Sequence, residues 1–531
     1  MRYMSLLFIL AAATFGYWMG GGLFPKQAAA ASVKHIHPEK DFPLTDYKSF
    51  AILVYAHNDA EWCERALRSI FEQDYERYRV IFVDDGSNDG TYDKAKSNIL
   101  ENNQDQRVVM IQNERCEGMT YSLYHSMDIL QDQEIVIPLS AKDWLSHPLS
   151  LKKLNLAYQN PDVWVAHTSS LLYPTYEIQD ASPTSFYAAL FKKIRLTDLF
   201  SDGRFVAASD AYKGPLLSLA GGRIRSLKEL LFMTNLSRSR KEAPTPPTSS
   251  YEPLAAFPSS PAPGKADILI FSCDRPLQLY SCLESIHRYF RGFEKLSVLY
   301  RSSDERVQES YKKVQEAFPK VHFVAQGVEY KKDFKPLLLK TLFGSSSEYI
   351  IFGVDDIIAK DFVDLKGCME MMERTGSYGF YLRFGSHIRH CYQSGQAQEV
   401  PKSALLNRGV HVWSLKAGGN DWEFPNTLDM TLYRKKDIRQ AFEMLKYKTP
   451  NSLEFVWAQK PGAGLGLYFE TSKIVNVPLN VVSRTGNPHM NMTAEELLVK
   501  FEEGLKIDIE PLYQVENASP HFEYTPEFIP R

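Results

Sequence analysis

VIFVDDGSNDGT, residues Val80 to Thr91, is the stretch whose reading decides the fold. It opens on an apolar run without polar interruption, as expected of a strand buried on both faces. Two carboxylates, Asp84 and Asp85, end that run, and a Gly-Ser-Asn-Asp-Gly turn then opens a helix at Thr91. A buried strand passing into a helix through a short polar turn is part of a βα unit, and ligands of such sheets sit beyond the carboxyl ends of the strands. Asp84 and Asp85 therefore stand where a ligand is expected. Asp85, Ser87 and Asp89 also have a plainer reading, as caps of the helix that follows.

Working outward, FAILVYAHNDAEWCERALRSI (Phe50 to Ile70) superposes without a gap on ADILIFSCDRPLQLYSCLESI (Ala266 to Ile286), an offset of 216 residues. Each copy has a short apolar run, a polar turn and a helical pattern whose apolar positions include Leu67 and Ile70 in one, Leu283 and Ile286 in the other. The alternation continues in both. VIFVDD, RVVMIQN and EIVIPLS read as strands of the first half, with helices over Thr91 to Leu100 and Glu117 to Leu130 between them. KLSVLY, KVHFVAQ and EYIIFGVDD are the strands of the second, separated by ERVQESYKKVQEAF and DFKPLLLKTLF. Between the halves, residues 238–265 are rich in Pro and Ser and read as an extended linker. The expected organisation is an N-terminal segment over 1–25, one α/β domain over 48–237, the linker, and a second α/β domain over 266–531, each with a mostly parallel sheet.

With VDDGSNDGT ending its second strand, the first half resembles the family 2 glycosyltransferases, whose fold is GT-A, a Rossmann-like nucleotide-diphospho-sugar transferase fold. The second half resembles that superfamily more distantly, so the fold expected is two tandem GT-A domains. The resemblance implies that Asp84, with Asp85 beside it, contacts the nucleotide of a UDP- or GDP-sugar. It also implies a carboxylate cluster at the end of a later strand. There an Mg or Mn ion, which prefers hard oxygen ligands, would neutralise the departing diphosphate.

In the first half that place reads PLSAKDWL, Pro138 to Leu145, where Ser140 and Lys142 replace acids and Asp143 remains. This half has lost catalysis, or binds without metal through Lys142. In the second half EYIIFGVDDIIAKDF offers Asp355 and Asp356, adjacent carboxylates that repel one another and need a cation or donors. A metal is the functional solution; a helix N-terminus or Lys360 is the plain one. Ser272 and Arg275, in FSCDRP, are the candidate donor-binding residues of this half, arginine being suited to a pyrophosphate. Direct displacement at the anomeric carbon also needs a carboxylate base for the acceptor hydroxyl. Asp210 is the candidate in the first half, and Asp421, Asp429 and Glu454 in the second, with Trp422 placed to stack on a sugar. His489 is a candidate for completing the metal shell, as a C-terminal histidine does in some GT-A enzymes.

Composition bounds these readings. Hydrophobic residues at 44% and charged residues at 24% of 531 describe a globular chain, and a net charge of -3 excludes a dedicated nucleic-acid binder. The six cysteines form no CxxC pair and no zinc spacing. LLFILAAATFGYWMGGGLF, Leu6 to Phe24, is apolar and uncharged and is read as a membrane anchor, with a cleaved signal peptide as the alternative. Lys26, Lys34, Lys40 and Lys48 after it outnumber Arg2 before it, which favours a cytosolic body over an exported one. The expected function is transfer of a sugar from a nucleotide donor to a glycan, lipid-linked or protein acceptor. A binding scaffold without turnover and a bifunctional polymerase are the rivals.

Overall fold

A computed structural model of the chain describes residues 46–531, apart from 180–184, 202, 207–209, 237–249, 259–263, 461–463, 481–488 and 491. The Leu6–Phe24 segment lies outside the described residues, and among these no helix is long and apolar enough to cross a membrane.

The apolar runs become strands. In the first half β1 (Phe50–Ala56), β2 (Tyr78–Asp85), β3 (Val108–Asn113) and β4 (Ile135–Ser140) form a parallel block in the order β3-β2-β1-β4. Helices α1 (Cys63–Phe71), α2 (Thr91–Glu101) and α3 (Met119–Ser126) connect them. Every residue of β1 is buried, as a central strand covered on both faces requires. Beyond β4 the sheet turns mixed. With β5 (Val165–Tyr173), β6 (Ser185–Tyr187) and β7 (Ile224–Asn235), the order continues β4-β6-β5-β7. The pairings along it are antiparallel, antiparallel and parallel.

The second half repeats this topology. A parallel block is built from β8 (Ala266–Cys273), β9 (Phe293–Arg301), β10 (His322–Ala325) and β11 (Tyr349–Val354), ordered β10-β9-β8-β11. Its connecting helices are α4 (Pro276–Tyr289), α5 (Glu305–Ala317) and α6 (Tyr330–Phe343). After helix α7 (Leu365–Thr375) come β12 (Gly379–Tyr381), β13 (Val410–Ser414), β14 (Thr431–Arg434), α8 (Pro450–Ala458), β15 (Leu465–Phe469) and β16 (Ile474–Asn476). The sheet continues β11-β14-β12-β15-β13, and its first three steps are again antiparallel, antiparallel and parallel. A mixed sheet thus stands in both halves where the sequence predicts mostly parallel ones.

An aromatic core closes the far side of the second sheet. Trp422 lies there, 1% exposed and stacked on Phe384 with ring centroids 4.0 Å apart, so its ring is core and not a sugar platform. Gly466 leaves room for Trp413, because a Cβ at that position would come within 2.4 Å of the indole ring. Trp413 is itself fully buried and wedged against Tyr381 and Tyr468, so it has nowhere to retreat. Gly466→Ala is expected to cost about 1–3 kcal/mol, the usual range for overpacking, and to lower the thermal unfolding midpoint by several degrees. An unchanged midpoint would show that the core yields.

The halves are not beads on a string, for residues 46–531 form one compact unit. Arg374 of α7 pairs with Asp128, donates to the Tyr124 carbonyl at 2.7 Å and lies 4.1 Å above the Tyr124 ring. Asn407 meets His125 at 2.5 Å. The described part of the Pro/Ser-rich stretch also departs from a free linker. Tyr251 bonds Asp198, Leu254 donates to the Leu219 carbonyl, and Phe257 packs edge-on against Tyr187.

Candidate active site

At the end of β2 the two neighbouring carboxylates have different lives. Asp85 accepts from the Tyr55 hydroxyl and Asn113 Nδ2, both at 2.8 Å, and from the backbone N–H groups of Glu117 and Gly118, both at 2.9 Å. Burial pushes its pKa up, but these four donors outweigh it and hold the carboxyl below its ordinary value. Asp85 thereby fixes the start of α3, not of α2, the helix that follows it in sequence and that the plainer reading would have it cap. Ser87 and Asp89 do the same for the turn. Ser87 Oγ accepts from Asn58 N, and Asp89 accepts from Thr91 N and Ala60 N. Gly86 is obligatory here, with φ +66° and a Cβ position only 2.7 Å from the Arg115 backbone. Asp84 is the exception. It is fully buried, Gln112 donates to Oδ2 at 3.3 Å, and Oδ1 has no partner. A buried carboxylate oxygen without a donor is costly, and Asp84 Oδ1 is an acceptor that the protein itself leaves unfilled.

His57, Asp85 and Cys116 bring potential ligand atoms within 4.8 Å of one another, the one such group of three among the described residues. The four donors already on Asp85 leave a metal little to bind. Alongside, a cavity of about 410 Å³ opens next to β2, β3 and α3 and is bounded by Asn407 and Arg408 of the second half.

The strand registers identify what stands in the expected carboxylate slot. Tyr55 pairs with Ser140, and Phe271, its counterpart at the offset of 216, pairs with Val354. Ala141 and Lys142 of the first half therefore match Asp355 and Asp356 of the second. Asp143 turns away to accept from Asn235 N at 2.8 Å, and burial raises its pKa to about 7. Asp210 begins the helix Asp210–Ala220, and its side chain lies outside what the structure describes.

In the second half Asp355 and Asp356 share a cation that the protein itself supplies. Arg275 Nη1 lies 3.0 Å from Asp355 Oδ1 and 2.9 Å from Asp356 Oδ2, and Nη2 reaches the Asn480 carbonyl. Asp355 Oδ2 accepts from the Ser272 hydroxyl at 2.8 Å and from Cys273 N at 3.3 Å. Ser272 and Arg275, expected on the donor, thus hold the carboxylates instead. Both oxygens of Asp355 are engaged, and burial raises its pKa. It does not fit a metal in this arrangement. The cavity beside the pair, lined by Gln278, Val477 and Leu479, is only about 10 Å³, room for a water at most. Lys360 takes no part, for its Nζ donates to the Val515 carbonyl and burial lowers its pKa to about 8.

Asp356 differs from Asp355 in keeping Oδ1 buried and without a partner. Further ionisable groups lie within its electrostatic reach. Asp421 accepts from Gln398 Nε2 at 2.9 Å, and Asp429 lies 3.7 Å from Arg383. Burial, with Asp356 and Asp421 adding to it against Arg383, raises Asp429 to about 6. Glu454, on α8, accepts from Thr427 Oγ1 at 3.0 Å and Leu428 N at 2.9 Å, and burial together with the Asp429 charge raises it to about 7. Residue Ile357 pairs with Asn476 of β16, and Asn476 bridges His521, so the C-terminal tail lies one strand away. His521 feels the charges of Asp356, Asp421 and Glu454, and its Nδ1 is buried without a partner. The sequence offers no local signal for His521. His489, a metal-shell candidate by sequence, sits in the irregular stretch before the helix Ala494–Glu502.

Comparison with known proteins agrees with the first-half motif. Residues 51–204 match the family described as Glycosyl transferase family 2. The bifunctional glycosyltransferase pgtA of Dictyostelium discoideum is 30% identical over 213 residues, 35% of this chain and 27% of that protein. Among solved structures, S. aureus TarS 1-349 aligns at 17% identity and TM-score 0.30, over 35% of this chain and 60% of that one. The mannosyltransferase PcManGT of Pyrobaculum calidifontis, in complex with GDP-Man and Mn2+, aligns at 18% and TM-score 0.29, over 36% and 57%. The chain thus spans about a quarter of the curated relative's length. Residues 51–204, within the mixed α/β first half, are similar to the Glycosyl transferase family 2 domain.

Proposed function

We propose that this chain is a glycosyltransferase that takes a sugar from a nucleotide-diphosphate donor, and that the chemistry runs in the second half. The observation that carries this reading is the gathering of Asp356, Asp421, Asp429 and Glu454 at the carboxyl end of the second sheet. The matching slot of the first half holds Ala141 and Lys142. The repeated strand order supports treating the second half as a second, divergent GT-A domain. The first half then serves as a nucleotide-binding partner through Asp84. Its slot argues against the bifunctional alternative.

Glu454 is the base. It is fixed by two donors on one oxygen, and its pKa near 7 suits proton transfer at neutral pH. The acceptor hydroxyl oxygen attacks the anomeric carbon, its proton passes to Glu454, and the bond to the diphosphate oxygen breaks on the opposite side, with inversion. Asp421 is a candidate for orienting the acceptor. Asp356 Oδ1 and His521 Nδ1, both buried and unpartnered, are the candidate ligands of a divalent ion, the carboxylate oxygen being the donor type that suits Mn or Mg. Such an ion would neutralise charge on the departing diphosphate. UDP- and GDP-sugars are the donor classes, and a glycan, lipid-linked or protein group is the acceptor. The N-terminal apolar segment would tether the enzyme to a membrane with its domains in the cytosol.

The test is a thermal-shift screen of UDP- and GDP-sugars with and without Mn2+, followed by a transfer assay with the donor that binds. A cation-dependent shift that disappears in Asp356→Asn protein is expected. Donor binding untouched by that change, and abolished by Asp84→Asn, would move the chemistry to the first half.

A further inference from the structure

Arg275 is placed to do something the donor-binding expectation misses. It precedes Pro276 at the start of α4, its backbone N–H donates to Tyr311 Oη at 3.2 Å, and its side chain is 9% exposed. Three acceptors hold the guanidinium: one oxygen of Asp355, one oxygen of Asp356 and the Asn480 carbonyl. The frame behind it is also tied. Asn480 Oδ1 accepts from Gln278, and Ser272 joins Asp355 to Tyr311. Nη1 is spent on the two carboxylates, and Nη2 gives one of its N–H groups to the Asn480 carbonyl. The Nη1/Nη2 fork is thus engaged by the acidic pair and the protein frame, while Nε stays buried without a partner. Arg275 engages Asp356 Oδ2 while leaving Oδ1 without a donor.

We propose that Arg275 is a positioning residue that pre-neutralises the acidic pair, so that the active-site cation binds weakly to the empty enzyme and is retained only together with a nucleotide diphosphate. This rests on the reading of Asp356 as a cation ligand. The charge argument is simple. Two ionised carboxylates without Arg275 carry -2, and with it the trio carries -1, so an incoming divalent ion meets about half the attraction. The diphosphate supplies the missing negative charge. Asp355, bonded on both oxygens, holds Arg275 in place rather than contacting the cation.

Mn2+ binding read by electron paramagnetic resonance tests this, using UDP and GDP as probes and no catalytic step. The wild-type protein is expected to bind Mn2+ weakly alone and at least about tenfold more tightly with the nucleotide it accepts. Arg275→Met removes the charge and is expected to tighten Mn2+ binding in the absence of nucleotide by about tenfold, while Arg275→Lys restores most of the wild-type behaviour. If Arg275→Met fails to fold, Arg275→Gln, which keeps a donor toward the pair but not the charge, is expected to tighten Mn2+ binding in the absence of nucleotide to a similar degree. An unchanged affinity in Arg275→Gln counts against the proposal equally. Mn2+ affinity unchanged in Arg275→Met, with Asp356→Asn still abolishing it, would overturn the role of Arg275 alone. That role falls equally if Arg275→Met loses nucleotide but keeps Mn2+ binding, which would return the residue to the diphosphate. No Mn2+ binding by wild-type protein with either nucleotide would overturn the cation reading as well.

Discussion

Glu454→Gln is expected to lower kcat for transfer by about 10²- to 10⁴-fold, the usual worth of a positioned general base, while leaving donor binding within a factor of two or three. The substitution is nearly isosteric. Glu454 Oε1 accepts from Thr427 Oγ1 and Leu428 N, and a glutamine carbonyl can keep both bonds. The backbone is held independently, because Thr449 and Ser452 cap α8 reciprocally and Pro450 occupies its first turn. What disappears is the ability to take a proton. The groups around Glu454 set the pH at which it can do so. Burial and Asp429 raise its pKa, Arg383 opposes them, and His521 shares the same field. With a value of about 7, kcat/KM should rise tenfold per unit below that pH and level off above it.

Stability moves the opposite way. A carboxyl whose folded pKa lies above its unfolded value of about 4.3 keeps a proton that the unfolded chain has lost, so its contribution falls as pH climbs towards 7. Glu454→Gln should therefore raise the unfolding midpoint more at pH 8 than at pH 5. A variant that retains wild-type kcat sinks the assignment, and a uniform midpoint change at both pH values sinks the account of the environment.

The sequence reaches the part of this architecture that is local. VIFVDD, the matched openings at Phe50 and Ala266, and EYIIFGVDD are buried strands whose apolar runs need no partner information to be read, and they form β2, β1, β8 and β11. The mixed strands beyond them are another matter. β6 and β12 have three residues each, too short for any period, and their pairing crosses large sequence separations. Trp422 shows the same limit. Its loop signals suggest a rim, but whether an indole faces sugar or core depends on Phe384 and Trp413, which are distant in the chain. The acidic pair is legible as a pair; that Arg275 bridges it is not, since 80 residues separate Arg275 from Asp355. His521 is the extreme case, carried to the site by a tail that bonds Asn476 on either side of it.

Asp356→Asn and His521→Ala are each expected to weaken Mn2+-supported binding of the donor nucleotide by about a hundredfold, since an ion stabilising a diphosphate is worth several kcal/mol. Calorimetry with UDP or GDP, with and without Mn2+, measures this directly. The two variants should differ from Asp355→Asn in kind. Asp355 lies in the frame formed by Ser272, Cys273 and Arg275, so its change should reach the cation only through a looser Asp356 and reduce thermal stability as well. Asp356→Asn keeps Oδ1 as an acceptor but removes the charge, whereas His521→Ala removes the ligand atom and the ring that stacks on Tyr392 at 5.1 Å. A shared loss of Mn2+ dependence from two residues 165 positions apart would have one economical cause, a common ion. Loss in Asp356→Asn alone would leave His521 a structural member of the tail. The corresponding change in the first half, Lys142→Ala, should leave the Mn2+ response untouched, because the slot it occupies holds no acid for a cation to bind.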